Sequence, residues 1–479
     1  MPRPPLLDPD AEQIRQYGEN ALERMVRYYE ELPRRPITRP ASAREIRALV
    51  SEPLPEEGSD FREVLDAVER IAVSYSRHNG HPRFFGYVAS PGLAAASLGD
   101  MLASMLNTNV TSFRSAPAAA EIEHVTIDWM KRIVGFDAGG LGLFVSGGSM
   151  ANLAALAAAR SRAAAGVASS GMQALPRALR LYVSEEGHFS VGKAVALLGI
   201  GRANVVEVKT DERLRLDVSD LKARIEGDRA AGLEPFCIVA SAGTVGSGAC
   251  DPLEAIAAVA RAYGLWLHVD ASYGGFAALA PSARPLLNGM CEADSAALDP
   301  HKWLYLPVDC GCVLYRDAAA ARAAFSATAE YIRVLNREPD ETFAFWDYGP
   351  ELSRRFRALN VWMLLKHAGA RALGEAIEGN LRCTRHFEWL VRESADFEML
   401  APVELSIFCF RYAPPGARDL DALNEAILHA LQREGSSYLS NARIRGRFAL
   451  RGCVLNYRTT ERDMEILLED VRRAARLVA

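Results

Sequence analysis

At 479 residues, 49% of them hydrophobic, the chain is too long for one small core and suits a large α/β domain with smaller companions. Its 55 basic and 60 acidic residues leave a formal charge of -5 with no long like-charge block, which argues against nucleic acid or an anionic membrane as partner and for a small molecule. The start, Met1-Pro2-Arg3-Pro4-Pro5, lacks the apolar core of a signal peptide, and no apolar stretch reaches the roughly twenty residues that span a bilayer. A soluble, cytoplasmic protein is expected. The eight cysteines are dispersed among mostly apolar neighbours, as reduced core thiols are. Cys310-Gly311-Cys312 has no second Cys or His pair at matching spacing, so no metal is expected there.

Residues 1–85 read as a helical N-terminal arm, with helical patterns over 14–32 and 61–75 separated by a proline-rich connector. Ile14, Tyr17, Ala21, Met25 and Tyr28 recur at helical spacing, so this stripe must pack on something, either the rest of the chain or a second copy. Residues 86–375 alternate short β-rich runs with helices, the pattern of a mainly parallel sheet with helical crossovers. Strands are predicted at 143–146, 180–184, 205–209, 236–241, 265–270, 295–298 and 312–315. The alanine-rich stretches 151–165 and 255–262 predict helices, because alanine is the best helix former and lets a helix lie close to a sheet. Residues 376–479 read as a small α+β domain, entered by a helix over 373–393 and containing β-rich runs at 406–412 and 448–456 around a helix over 420–432.

The chemistry concentrates where predicted strands end. Leu265 to Asp270 closes on a carboxylate, and Ser295 to Leu298 runs into Asp299-Pro300-His301-Lys302-Trp303. In one parallel sheet Asp270 and Lys302 face the same crevice. An amine able to form a Schiff base and an acid able to hold a pyridine nitrogen protonated together suggest pyridoxal 5'-phosphate (PLP), which also needs a donor-rich site for its phosphate. Gly147-Gly148-Ser149 offers that site at the turn from a strand into a helix, where glycine permits close approach and free N–H groups meet an anion. His188, just past the strand ending at Ser184, can stack on a ring. Thr244 ends the next strand and can touch the ring or its phenolic oxygen.

These motifs, with His81-Pro82-Arg83-Phe84-Phe85, His268-Val269-Asp270-Ala271 and Arg354-Arg355-Phe356-Arg357, make the chain resemble the PLP-dependent group II amino-acid decarboxylases over most of its length. The resemblance implies an α/β, fold type I, transferase-like architecture with a mainly parallel seven-stranded sheet. It implies that Lys302 holds the cofactor aldehyde, Asp270 pairs with the ring nitrogen and His188 stacks on the ring. Gly148, Ser149, Met150, Asp299 and His301 are implied on the phosphate side, with Thr244 and Ser272 completing the cofactor contacts. It further implies a homodimer with active sites at the subunit interface, where Asn109, Thr111 and Phe113 reach the partner's cofactor and Tyr87 and Phe85 help wall the substrate.

Two features depart from the family pattern. Counted back from Arg354-Arg355-Phe356, the family's mobile-loop tyrosine, which protonates the α-carbon, falls at Phe345; Tyr348 is the expected substitute and Tyr331 the other candidate. Asn109 and Thr111 stand where aromatic-acid decarboxylases carry apolar residues, which suits a smaller or more polar substrate. The expected activity is decarboxylation of an L-amino acid to its amine, with an aromatic substrate first and glutamate or aspartate type second. An oxygen-dependent aldehyde synthase of the same fold is the nearest alternative, and a metal hydrolase built on His268, Asp270 and His301 is the alternative from another class.

Overall fold

A computed structural model describes residues 7–137, 139–327 and 339–478. Seven strands form the central sheet: β1 (Leu141–Val145), β2 (Leu179–Ser184), β3 (Val205–Val208), β4 (Glu234–Ser241), β5 (Trp266–Asp270), β6 (Ser295–Leu298) and β7 (Gly311–Tyr315). Their order is β1-β7-β6-β5-β4-β2-β3, and β7 runs antiparallel to both neighbours while the pairs among β2 to β6 are parallel. All seven predicted strands are present, with ends displaced by at most two residues. The carboxyl ends of β1, β2, β4, β5 and β6 therefore share one edge of the sheet, and β7 starts there. Gly311 is required at that start, since a Cβ would lie 2.4 Å from the Gly147 Cα.

The helix Gly148–Ala163 crosses the sheet with Ala151, Ala154, Ala155, Ala158 and Ala159 fully buried. Small side chains here bring the helix close enough for its first turns to touch the ends of β5 and β6. The second alanine-rich helix is Leu253–Tyr263, close to the predicted span.

A second sheet contains β8 (Phe397–Met399), β9 (Ile407–Tyr412), β10 (Ser440–Ile444) and β11 (Arg447–Cys453), all antiparallel in the order β10-β11-β9-β8. Helices Gly369–Arg392, Leu420–Glu434 and Glu461–Val478 cover it. The β10–β11 hairpin closes on Arg445 and Gly446, both with positive φ (50° and 78°), the two-residue turn whose twist suits antiparallel strands. β8, β10 and the last helix have no counterpart among the predicted elements. β8 spans only three residues, and in β10 three of five residues are polar, so neither shows a strong period of two.

In the arm, Ala11–Glu31 and Ala43–Val50 start with capping boxes, Asp10 with Gln13 and Ser42 with Glu45. Neither these helices nor Phe61–Val68 buries a residue within the chain. Of the expected stripe, Ile14 and Ala21 are exposed while Tyr17, Met25 and Tyr28 are partly covered, Tyr17 by Phe61 at 4.4 Å and Tyr28 by His78 at 5.6 Å; Leu22, Val26, Val64 and Val68 are exposed beside it.

Candidate active site

The shared strand edge encloses a cavity of about 360 Å³. Gly148, Ser149 and Met150 line it from the turn after β1, His188 from the loop after β2 and Thr244 from the loop after β4. Asp270 and Ser272 come from the end of β5, and Asp299, His301 and Lys302 from the turn after β6. These are the ten residues expected around a cofactor, brought together from five separate strand ends.

Lys302 is presented by the single helical turn Pro300–Trp303, which proline pre-sets at its first position. Its Nζ lies 2.8 Å from Asp299 Oδ2, and His301 Nε2 stands 3.8 Å from the same oxygen. His301 is held by the backbone: its Nδ1 accepts from Cys310 N–H at 3.1 Å, and its carbonyl accepts from Ser90 Oγ at 3.0 Å.

PLP fits these residues. Ser272 Oγ and Asp299 Oδ1 are buried without a hydrogen-bond partner, although buried polar atoms are seldom left unpaired. At Gly148 a Cβ would stand 2.4 Å from Ser272 Oγ and 2.9 Å from Asp299 Oδ2, so only glycine keeps that cradle open. The helix that starts there is sixteen residues long and aims its free N–H groups at the cradle.

Asp270 is buried, which by itself pushes a carboxyl pKa up. Hydrogen bonding from Ser272, the charge of Lys302 and the Asn152 amide more than offset this and hold it below the ordinary carboxylate range. Ser272 N–H donates to Oδ1 at 3.2 Å and Asn152 Nδ2 to Oδ2 at 2.8 Å. His188 is lowered by burial, and its Nδ1 meets Ser190 Oγ at 2.7 Å. Thr244 Oγ1 lies 3.0 Å from Ser247 Oγ.

The residues expected to contact substrate are not at this cavity within one chain. Phe85 is fully buried and packs edge-on against Phe408 in the core formed by the second sheet and its helices. Tyr87 is half exposed beside Phe84 and Tyr438, with its hydroxyl accepting from Arg77 Nη1 at 3.0 Å. Asn109 Oδ1 caps the Arg354 N–H at 2.8 Å, and Thr111 Oγ1 meets Ser115 Oγ at 2.6 Å. Phe345 is buried under the Arg354 guanidinium, 4.3 Å from its ring centre, and stacks on His124. Tyr348 stacks on Phe343 at 5.1 Å, and its carbonyl accepts from Tyr315 Oη at 3.3 Å. Tyr315 ends β7 away from the cavity edge, so Tyr348 belongs to the aromatic packing along β1 and β7. Tyr331 lies outside the described residues.

Sequence reasoning missed Asn152 and Arg451. Asn152 is the one polar residue between Ala151 and Ala159, and a lone amide in an alanine-rich buried helix is a signal, since burying it unpaired is costly. Arg451 is 3% exposed; its Nε donates to Val245 O on the cavity rim and its Nη1 to Tyr87 O, while Nη2 has no partner. No local pattern marks a strand arginine as buried. His268 is fully buried and bonded to Asn152 and Ser295 through its two ring nitrogens, so it does not face the cavity as a metal ligand would. Among the described residues no group of three or more His, Cys, Asp or Glu side chains is placed to hold a metal, and no helix is long and apolar enough to cross a membrane.

The chain is similar to known proteins over most of its length. The pyridoxal-dependent decarboxylase conserved domain matches residues 43–413. An aromatic-L-amino-acid decarboxylase of Bacillus atrophaeus is 35% identical over 472 residues, 98% of this chain and 97% of that protein. A phenylacetaldehyde synthase of a Rosa hybrid cultivar is 29% identical, over 94% of this chain and 91% of that protein. The crystal structure of Oryza sativa TDC with PLP and tryptamine superimposes with a TM-score of 0.92 at 28% identity, covering 98% of this chain and 99% of that one. With a matching domain over most of its length and a cavity that presents Lys302, Asp270 and His188 together, the chain belongs to the pyridoxal-dependent decarboxylase family.

Proposed function

We propose that this decarboxylase acts on an aromatic L-amino acid, releasing carbon dioxide and the corresponding amine, and that it works as a homodimer. The observation that carries the reaction is the convergence of Lys302, Asp270 and His188 on one cavity. Bound there, PLP supplies an electron sink for the bond to the substrate carboxylate. The chain's residues do the rest. Lys302 would hold the cofactor aldehyde through its amine. Asp270, kept ionised by its donors, would hold a proton on the ring nitrogen, His188 would lie against the ring, and the Gly147-Gly148-Ser149 turn would take the phosphate. Arg451 offers its unpartnered Nη2 to the substrate carboxylate.

The aromatic substrate is favoured by the decarboxylase and synthase relatives. The dimer is favoured by the arm helices that bury nothing within the chain, and by Met101, Met105 and Leu106, exposed on the helix Ala94–Leu106 just before Asn109. A second copy covering these faces would bring Asn109 and Thr111 to the interface. The test is a screen of L-amino acids against PLP-loaded protein with mass detection of every product, beside light scattering for mass. Amine from tyrosine, tryptophan or phenylalanine is expected, from a particle of twice the chain mass. Turnover confined to glutamate or aspartate would overturn the substrate, and an active monomer the assembly.

A further inference from the structure

Four side chains behind Asp270 are completely buried: Trp266 and His268 on β5, Ser295 on β6 and Asn152 on the helix Gly148–Ala163. An indole N–H can only donate. Trp266 Nε1 gives its hydrogen to Ser295 Oγ at 2.8 Å, so the serine hydroxyl must spend its own hydrogen elsewhere. The acceptor in reach is His268 Nδ1 at 2.9 Å. An imidazole that accepts at Nδ1 carries its hydrogen on Nε2, and that nitrogen lies 2.9 Å from Asn152 Oδ1. With its oxygen so engaged, the Asn152 amide turns its nitrogen to Asp270 Oδ2 at 2.8 Å and to Ser190 Oγ at 2.9 Å. Ser190 Oγ is 2.7 Å from His188 Nδ1, which also accepts the Ser190 backbone N–H at 3.3 Å. His188 therefore also carries its hydrogen on Nε2.

The reverse orientation fails at both ends. Trp266 cannot accept, and a flipped Asn152 would set an amide oxygen against the Asp270 carboxylate, two acceptors in contact inside a dry core. Burial also pushes His268 down to about 4, so the ring is neutral at the pH of a cell and carries a single hydrogen.

We propose that Trp266, Ser295, His268 and Asn152 form a one-way hydrogen-bond chain that locks the Asn152 amide nitrogen onto Asp270, keeping that carboxylate an acceptor for the cofactor's ring N–H and setting the tautomer of His188. These are positioning residues; none of the four lines the cavity. The link spans 118 residues of sequence between Asn152 and Asp270, and it starts from an indole buried beneath the sheet edge. Its role rests on the reading of Asp270 as the ring-nitrogen partner, whereas its direction does not.

The test uses ¹⁵N-histidine-labelled holoenzyme, with long-range ¹⁵N–¹H correlation to identify the tautomer of each histidine. His268 is expected as the neutral Nε2–H form throughout pH 6 to 9, about two units or more above its own titration. In Ser295→Ala the chain is cut, and the visible band of the loaded protein should shift its pH midpoint by at least about half a unit while cofactor dissociates at least about fivefold faster. Ser295→Thr, which keeps the hydroxyl, should restore both. If Ser295→Ala loads poorly, Trp266→Phe removes the indole donor that sets the direction of the Ser295 hydroxyl, and is read in the same way. A charged or Nδ1–H His268 in the wild type would overturn the chain. Unchanged midpoint and dissociation in both cut variants would overturn its role. Protein that binds no PLP yet shows the Nε2–H form would overturn the functional reading and leave the chain's direction standing.

Discussion

Lys302 Nζ and Asp299 Oδ2 stand 2.8 Å apart across one helical turn, and the aspartate side chain is 3% exposed. Removing the lysine alone leaves a buried carboxylate with His301 Nε2 3.8 Å away as its nearest remaining ionisable partner. Lys302→Ala should therefore destabilise the cofactor-free protein more than the double variant with Asp299→Asn does. A coupling of about 1–3 kcal/mol is expected from a thermal-melt double-mutant cycle. Additive effects would mean that the pair is not formed in solution.

Asp270→Asn should keep the cofactor and lower decarboxylation at least about a hundredfold, because an amide cannot hold the ring proton as a buried carboxylate does. The loss should fall on kcat rather than KM. Near-normal turnover would require another group to support the ring nitrogen.

Stability should fall as the pH is lowered from about 6.5 towards 4. Burial lowers His268 and His81 to about 4 each, so the unfolded chain binds more protons across that window and the stability they contribute above it is lost. Asp251 works the other way, since burial raises it to about 6 and the folded state takes up its proton first. Two histidines outweigh one carboxyl. For His268 alone the contribution is about 3 kcal/mol, read as the fall in urea midpoint between pH 7 and pH 4.5 and reduced in His268→Gln. A midpoint that rises on acidification would contradict these assignments.

Tyr348→Phe should leave amine yield within about twofold, because its ring is stacked on Phe343 in the packing along β1 and β7. Tyr331→Phe should lower amine yield at least about tenfold or divert product to aldehyde and peroxide, as expected when a general acid is removed. Product partition under air, followed by oxygen consumption, separates the two. Equal yields from both variants would exclude a phenol from either position as the proton donor.

The sheet and the lining of the cavity were legible because each is local: a short apolar run ends, and within a few residues a glycine turn, His188, Asp270 or Lys302 follows. One parallel sheet is enough to bring such ends together. Contacts between distant segments were not legible. Phe345 reads as a lid residue by its spacing from Arg354-Arg355-Phe356, yet the Arg354 guanidinium, ion-paired to Glu123 in the core, covers its ring. Asn109 reads as a pocket residue, yet its side chain caps the Arg354 backbone 245 positions away. Phe85 follows Phe84 in a motif, but the two side chains diverge, one onto Tyr438 and the other into the core beneath the second sheet.

The most direct test of the central claim is to reduce the PLP-loaded protein with borohydride and map the modified peptide. A yellow protein whose visible band vanishes on reduction, with the adduct on Lys302 and no band in Lys302→Ala, is the predicted result. An adduct on Lys193 or Lys366, or a colourless protein that takes up no added PLP, would contradict it.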